Sequence, residues 1–493
     1  MFQAKIKTEG FKIMKKILFV GAETMPFAAT GGLGDVMGSL PAALKAKEKG
    51  NVEVSVVMPL YGNINDIWRA QMKDEATFTV HLAWRSIYCG VKSLVKDGVK
   101  YYFIDNEFYF KRGALYGFFD DGERYAYFCK AVMEMLVHLE YYPDVIHAND
   151  WQSALAVIYL NTKYRYVEGL SNTKSVFTIH NIEYQGKYSF SILGDVFDLG
   201  PEHYALMRYD DCINLMKAAC ECADMVSTVS PRYADEIKTI EYSHGLHHVL
   251  YRNSQKLTGI LNGIDYDYYN PAKDTVLCKN YDRRNFTKGK AENKMALQRE
   301  YGLPERADVP MLAIISRLAT HKGLDLVEQI AYELVRNHDI QFVILGKGEA
   351  RYEHFFSELE KAYPDKVRAL LTYDRDLSKK IYAAADIFVM PSKSEPCGLS
   401  QMIASRYGAV PVVRETGGLA DSIKGYWVDN GEIKGNGFTF ANYYSGELYD
   451  RICAALELYA DKAQNKKFVS KIMGTDFSWA SSAEKYMEMY NSL

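Results

Sequence analysis

Short runs of apolar, β-branched residues alternate along this chain with longer segments whose apolar positions recur at helical spacing. In the first half the runs fall at 16–23 (KILFVGAE), 52–59, 100–107, 144–150, 175–181, 225–230 and 259–265. In the second half they fall at 311–317, 341–348, 368–374, 386–392 and 409–415. Strands that are apolar almost throughout, separated by helices, predict parallel sheets covered on both faces. The polar stretch 266–310 breaks the rhythm and reads as a linker followed by a helix. The expected organisation is therefore α/β, with two doubly wound Rossmann-like domains at 1–270 and 271–493, each with its ligand edge at the carboxyl ends of its strands. The last helix, about 480–493, is a candidate to cross back onto the first domain. Residues 1–13 read as a loose leader, with Met14 a second possible start.

One motif occurs twice. ATGGLGDV (29–36) and ETGGLADS (415–422) both follow a strand and open a helix. Paired glycines let a ligand approach the backbone, and a helix N-terminus offers unpaired N–H groups and a positive dipole end. Alone, such a pair is equally well a tight turn. Two copies, one per domain, fit loops that each meet a ligand.

Composition narrows the classes. The formal net charge is -3 with both signs interleaved, so no basic footprint for nucleic acid or an anionic membrane is present. No apolar run reaches the roughly 20 residues that span a bilayer, and no cleavable signal pattern is visible. The eight cysteines form no CxxC pair, which suggests reduced thiols in a cytoplasmic protein. His244, His247 and His248 have a spacing that could ligate a metal, but an exposed helix start explains them as well, and no metal is expected.

The ordered set TGGLGDVMGSLP, DVIHANDWQSAL, FTIHNIEYQG, STVSPRYADEI, ILNGID, ISRLATHKGLDL, PSKSEPCGLSQ, ETGGLADSI and GNGFTF resembles the bacterial glycogen synthase and plant starch synthase family from Lys15 to the C-terminus. The resemblance implies a GT-B arrangement, two Rossmann-like domains facing a central cleft. It also implies transfer of glucose from ADP-glucose to an α-1,4-glucan with retention of configuration, and no cofactor beyond the nucleotide sugar. Arg317 and Lys322, on the loop after the strand at 311–317, are the cations expected to neutralise the departing diphosphate. Glu395 in SEPCGL is implied to act at the donor glucose, although a first-turn Glu also complements a helix dipole. His180 and Asp150, each ending a strand, are implied to face the sugar. Gly31, Gly32, Asn262, Cys397, Gly398, Leu399, Thr416, Gly417 and Gly418 are implied to line the donor site, and Tyr373 to stack on the adenine. Glu23 is a further cleft-lining candidate, and one or two aromatics of 107–128 could meet the acceptor. Asp150 and Glu395 as a carboxylate pair could suggest a glycosidase, but hydrolysis would not need the diphosphate cations.

One position departs from the pattern. The family's first glycine motif carries Lys before Thr-Gly-Gly and here the residue is Ala29. A lost phosphate contact is worth roughly 1.5–3 kcal/mol. The alternatives this opens are an altered donor affinity, UDP-glucose as donor, or a glucan-binding relative without turnover. The presence of His180, Arg317, Lys322 and Glu395 together argues against the last, and no motif suits a phosphorylase's pyridoxal cofactor. Oligomeric state is not specified.

Overall fold

A computed structural model describes residues 14–48 and 50–493; the expected leader lies outside the described residues. The chain forms two compact units that interleave in sequence instead of dividing at 270. The first comprises the described residues up to Ser227, with Ser243–Thr258 and Ala480–Leu493. The second comprises Thr228–Tyr242 and Gly259–Trp479.

The first unit is built on a nine-stranded sheet. Lys15–Val20 lies between Val52–Pro59 and Val145–Asn149, parallel to both, and Lys174–Ile179 and Val99–Asp105 extend the parallel part on either side. Ile17, Leu18 and Val20 are fully buried, as expected of a strand covered on both faces. Beyond Val99–Asp105 the sheet turns antiparallel, through Arg85–Lys96 and Lys73–Leu82. That hairpin was not legible as strand, because most of Lys73–Leu82 faces solvent and its residues are largely polar.

The second unit has a six-stranded, all-parallel sheet in the order Val367–Leu370, Gln341–Leu345, Met311–Ile315, Ile387–Met390, Val410–Arg414, Phe438–Phe440. Taken along the chain this is order 3-2-1-4-5-6, the doubly wound arrangement. The order reverses between Met311–Ile315 and Ile387–Met390, so the loops leaving those two strands diverge and open a crevice. The first unit has the same reversal beside Lys15–Val20, next to Val145–Asn149.

The polar stretch expected as a linker belongs to the second unit. Its helix, Phe286–Glu300, buries Lys290, whose Nζ donates to the carbonyls of Tyr382, Ala383 and Tyr407 at 3.3, 3.0 and 3.1 Å. Burial holds that amine down at about 7. The helix is polar even on its inner side, where Lys290, Asn293, Lys294 and Gln298 are all buried and bonded to neighbouring segments.

The C-terminal residues Ala480–Leu493 pack in the first unit. Tyr490 donates or accepts through its hydroxyl at 2.7 Å from Nδ1 of His147, and its carbonyl accepts from Lys15 Nζ. His147 is fully buried on the central strand Val145–Asn149, with Nε2 on the Thr178 hydroxyl. Tyr490→Phe leaves a buried ring nitrogen without its partner, which costs about 1–3 kcal/mol. The expected outcome is a melting temperature lower by several degrees; an unchanged melt would show that this bond does not anchor the C-terminal helix.

Candidate active site

In the second unit the crevice at the sheet reversal gathers three of the predicted residues. Arg317 lies two residues past the strand Met311–Ile315 and is exposed. Lys322 lies in the single turn Thr320–Lys322 that leads into the next helix. Glu395 leaves the neighbouring strand Ile387–Met390, and its carboxylate is buried. Lys322 Nζ and Glu395 Oε2 are 2.7 Å apart, and the Ser392 hydroxyl donates to the same oxygen at 3.1 Å. Gly323 makes this approach possible. Its φ is 73°, and a Cβ there would meet the Pro391 carbonyl oxygen at 2.0 Å. The glycine thus lets one strand's loop lie against the other's, carrying lysine to glutamate.

Behind Glu395, Cys397 is buried and its thiol is pushed up to about 12 by burial. It is a neutral packing group that faces the main-chain N–H of Asn262, with no capacity as a nucleophile near neutral pH. Asn262 is itself 5% exposed, and its Oδ1 has no hydrogen-bond partner among the described residues. A buried amide oxygen left open in this way suits a ligand donor. Leu399 precedes the helix Ser400–Arg406, which has no side-chain cap, and Gly398 turns there at φ 70°. Tyr373 is 74% exposed, with its hydroxyl receiving Arg375 Nε at 2.9 Å, so it is no core-edge packing residue.

The two glycine motifs prove physically different. A Cβ on Gly31 or Gly32 would meet nothing within 4 Å, so the protein's own packing does not require glycine and the backbone is open to a ligand. At the second motif the space is filled. A Cβ on Gly417 would strike the Glu395 carbonyl oxygen at 1.9 Å, and one on Gly418 the Cys397 carbonyl oxygen at 2.2 Å. Nor are the amides there free. Gly417 N donates to both carboxylate oxygens of Glu236 at 3.0 Å, and Gly418 N donates to the carbonyls of Glu395 and Pro396 at 3.1 and 3.2 Å. Thr416 gives its hydroxyl to Glu236 as well, at 3.2 and 3.3 Å. The expectation that this helix start offers unpaired N–H groups to a diphosphate is corrected, because all of these donors are spent inside the unit.

Glu236 escaped the sequence analysis because it lies about 160 residues before Glu395 and ends an unremarked helix, Pro231–Glu236. The STVSPRYADEI stretch was the available signal, but nothing local says where its glutamate points.

In the first unit Asp150 ends Val145–Asn149 and His180 follows Lys174–Ile179. Asp150 takes a φ of 58°, which an L-residue adopts only at a cost of about 1–3 kcal/mol. The strain aims its Oδ1 at the amide of His180, 2.7 Å away, and at that of Asn181, 3.4 Å away. Burial pushes the Asp150 carboxyl up to about 7; the two amides pull against this and the nearby charge of Glu23 adds to it. His180 is buried, and that holds its imidazole down at about 3. Its Nε2 lies 2.9 Å from Asn149 Oδ1, and Asn149 spends its own amide on the Val20 and His147 carbonyls. The only role left to His180 Nε2 is donor, which fixes a neutral Nε2–H tautomer. Glu23, at the sheet reversal after Lys15–Val20, accepts from the Thr30 hydroxyl at 3.0 Å and from the Thr30 amide, and burial raises its carboxyl.

Two α/β units of this topology, with two cations and a buried carboxylate at one sheet reversal, define a GT-B-type glycosyltransferase. Residues 16–252 match the family model of the starch synthase catalytic domain, and residues 300–470 match that of glycosyl transferases group 1. The glycogen synthase of Ligilactobacillus salivarius is 45% identical, covering 97% of this chain and 100% of the relative. That of Streptococcus sanguinis is 46% identical with the same coverage. Among solved structures, the catalytic domain of starch synthase IV from Arabidopsis thaliana, bound to ADP and acarbose, superposes with a TM-score of 0.87 at 35% identity. It covers 97% of this chain and 99% of that one. The chain belongs to the glycogen synthase and starch synthase family and has that activity.

An aspartate whose native pKa lies above its unfolded value contributes stability that is complete below the unfolded pKa, near 4. That stability is lost as pH rises through the native one, here about 7. Asp150→Asn keeps an oxygen for the His180 amide and never ionises. The variant is expected to melt above the parent at about pH 8, with the difference closing by about pH 4, as read from thermal unfolding across that range. A pH-independent difference would show that Asp150 is not held protonated.

Proposed function

We propose that the chain transfers glucose from ADP-glucose to the non-reducing end of an α-1,4-glucan with retention of configuration, in the cytoplasm. The observation that carries this is the Arg317, Lys322 and Glu395 cluster at the sheet reversal of the second unit. Breaking the bond from the anomeric carbon to the nucleotide leaves negative charge on diphosphate oxygens, and fixed cations lower that barrier. Arg317 supplies a planar fork and Lys322 a point charge. Lys322 rests on Glu395, so the carboxylate assigned to the glucose is held in place and charge-compensated.

The other assignments follow the same logic. The exposed ring of Tyr373 is a free face for a base to stack upon. Asn262, with its open Oδ1, accepts from a donor hydroxyl. Gly31 and Gly32 give the nucleotide sugar close access to backbone. In the first unit, neutral His180 and Asp150 are assigned to the sugar, where an uncharged imidazole tolerates developing positive charge better than an imidazolium would. The relative bound to ADP supports an adenine nucleotide as donor.

Glucan growth on glycogen primer, with ADP-glucose and UDP-glucose supplied separately, tests the donor. Growth is expected from ADP-glucose and is expected to vanish in Glu395→Ala. Growth from UDP-glucose alone would overturn the donor assignment, and growth from neither would leave only a glucan-binding protein. Ala29→Lys, restoring the family's cation, is expected to lower the donor KM by about tenfold, the effect of one charged hydrogen bond. An unchanged KM would show that Arg317 and Lys322 already suffice.

A further inference from the structure

The helix Pro231–Glu236 reaches both loops that frame Glu395. At its start the Ser230 hydroxyl donates to the Pro396 carbonyl at 2.6 Å. In its first turn the Arg232 amide donates to Asp421 Oδ2 at 2.7 Å, on the helix Gly417–Ser422. At its end the Glu236 carboxylate, 6% exposed, takes the Gly417 amide on both oxygens together with the Thr416 hydroxyl. Arg232 Nε lies 3.3 Å from the same carboxylate. Every partner belongs to the second unit, although this segment is separated in sequence from the rest of it.

The grip is transmitted to Glu395 through main chain. The Gly418 amide donates to the Glu395 carbonyl, and Gly417 lies so close beneath it that even a methyl group would collide. The Thr-Gly-Gly backbone is the floor on which the Glu395 main chain rests, and Glu236 fixes that floor. The first unit repeats the device, since Glu23 takes the amide and hydroxyl of Thr30 in its own Thr-Gly-Gly loop. The recurrence gives the doubled motif a physical content, a threonine and glycine turn closed by a carboxylate that lies 7 residues upstream in the first unit and 180 upstream in the second.

We propose that Glu236 is a positioning residue for Glu395, setting the main chain that aims the Glu395 carboxylate; this rests on the role given to Glu395 above. Hydrogen bonds donated by two successive residues to one carboxylate remove the freedom of the turn to rotate. Displacing a reacting group by about 1 Å costs on the order of 100-fold in rate.

The test compares the parent, Glu236→Ala, Glu236→Gln, Ser230→Ala and Glu395→Ala as full chains, with ADP-glucose and glycogen as substrates and rates expressed per folded molecule. Glu236→Ala is expected to lower kcat by about tenfold to 100-fold while the glycogen KM stays within about twofold. Glu236→Gln, whose amide oxygen still accepts from Gly417, is expected to recover most of that loss. Ser230→Ala is expected to lower kcat less, and it carries the test if Glu236→Ala does not fold. Lower melting temperature in Glu236→Ala with an unaltered kcat per folded molecule, beside an inactive Glu395→Ala, would overturn the proposal and leave a purely structural carboxylate. Equal losses in Glu236→Ala and Glu236→Gln would also overturn it. Full activity in Glu395→Ala would instead remove the role of Glu395 itself.

Discussion

A parallel sheet whose strand order reverses cannot cover the reversal. The right-handed crossovers that leave Met311–Ile315 and Ile387–Met390 run to opposite faces, so their loops diverge at the carboxyl edge. Everything in the second unit's site hangs on that divergence. Arg317 and Lys322 come from one loop and Glu395 from the other, and the 2.7 Å contact between Lys322 and Glu395 is where the two loops meet. The first unit obeys the same constraint, with Glu23 and Asp150 leaving the strands on either side of its own reversal.

The crevice places charge; smaller devices then fix the groups to useful tolerance. Glycine at 323 lets the loops touch, and glycine at 417 lets the Thr-Gly-Gly turn lie directly under Glu395. Asp150 is held at a positive φ because its carboxylate is bonded to the amide of His180. His180 is held as a neutral donor by Asn149, which spends its own donors on the strands beside it. In each case backbone strain or a buried polar group is compensated by a partner on a different strand. That is how a rigid sheet transmits its regularity to irregular loops.

The two Thr-Gly-Gly copies show how one string of residues can serve opposite purposes. At Gly31 and Gly32 the missing side chains leave open space. At Gly417 and Gly418 they leave room for the protein's own carbonyl groups. A glycine pair reports that something passes close to the backbone; whether that is ligand or protein depends on the neighbours that folding supplies.

By itself, the sequence determined eleven of the twelve apolar runs as strands, the two α/β units and the loops bearing Arg317, Lys322, Glu395, Asp150 and His180; the run 259–265 shares only Gly259 with a strand, Leu257–Gly259, and is otherwise loop. Local hydrophobic pattern and strand-to-helix position depend on neighbouring residues alone. It did not reveal the hairpin of Arg85–Lys96 with Lys73–Leu82, whose outer strand is largely polar and exposed, since polar strands carry little periodic signal. Only tertiary structure decided that the units interleave, that Lys322 pairs with Glu395, and that Glu236 closes the second glycine turn. Those contacts join residues 73 and about 180 positions apart, and a carboxylate's partner at such a distance is set by how the sheets stack their loops. No spacing along the chain encodes that.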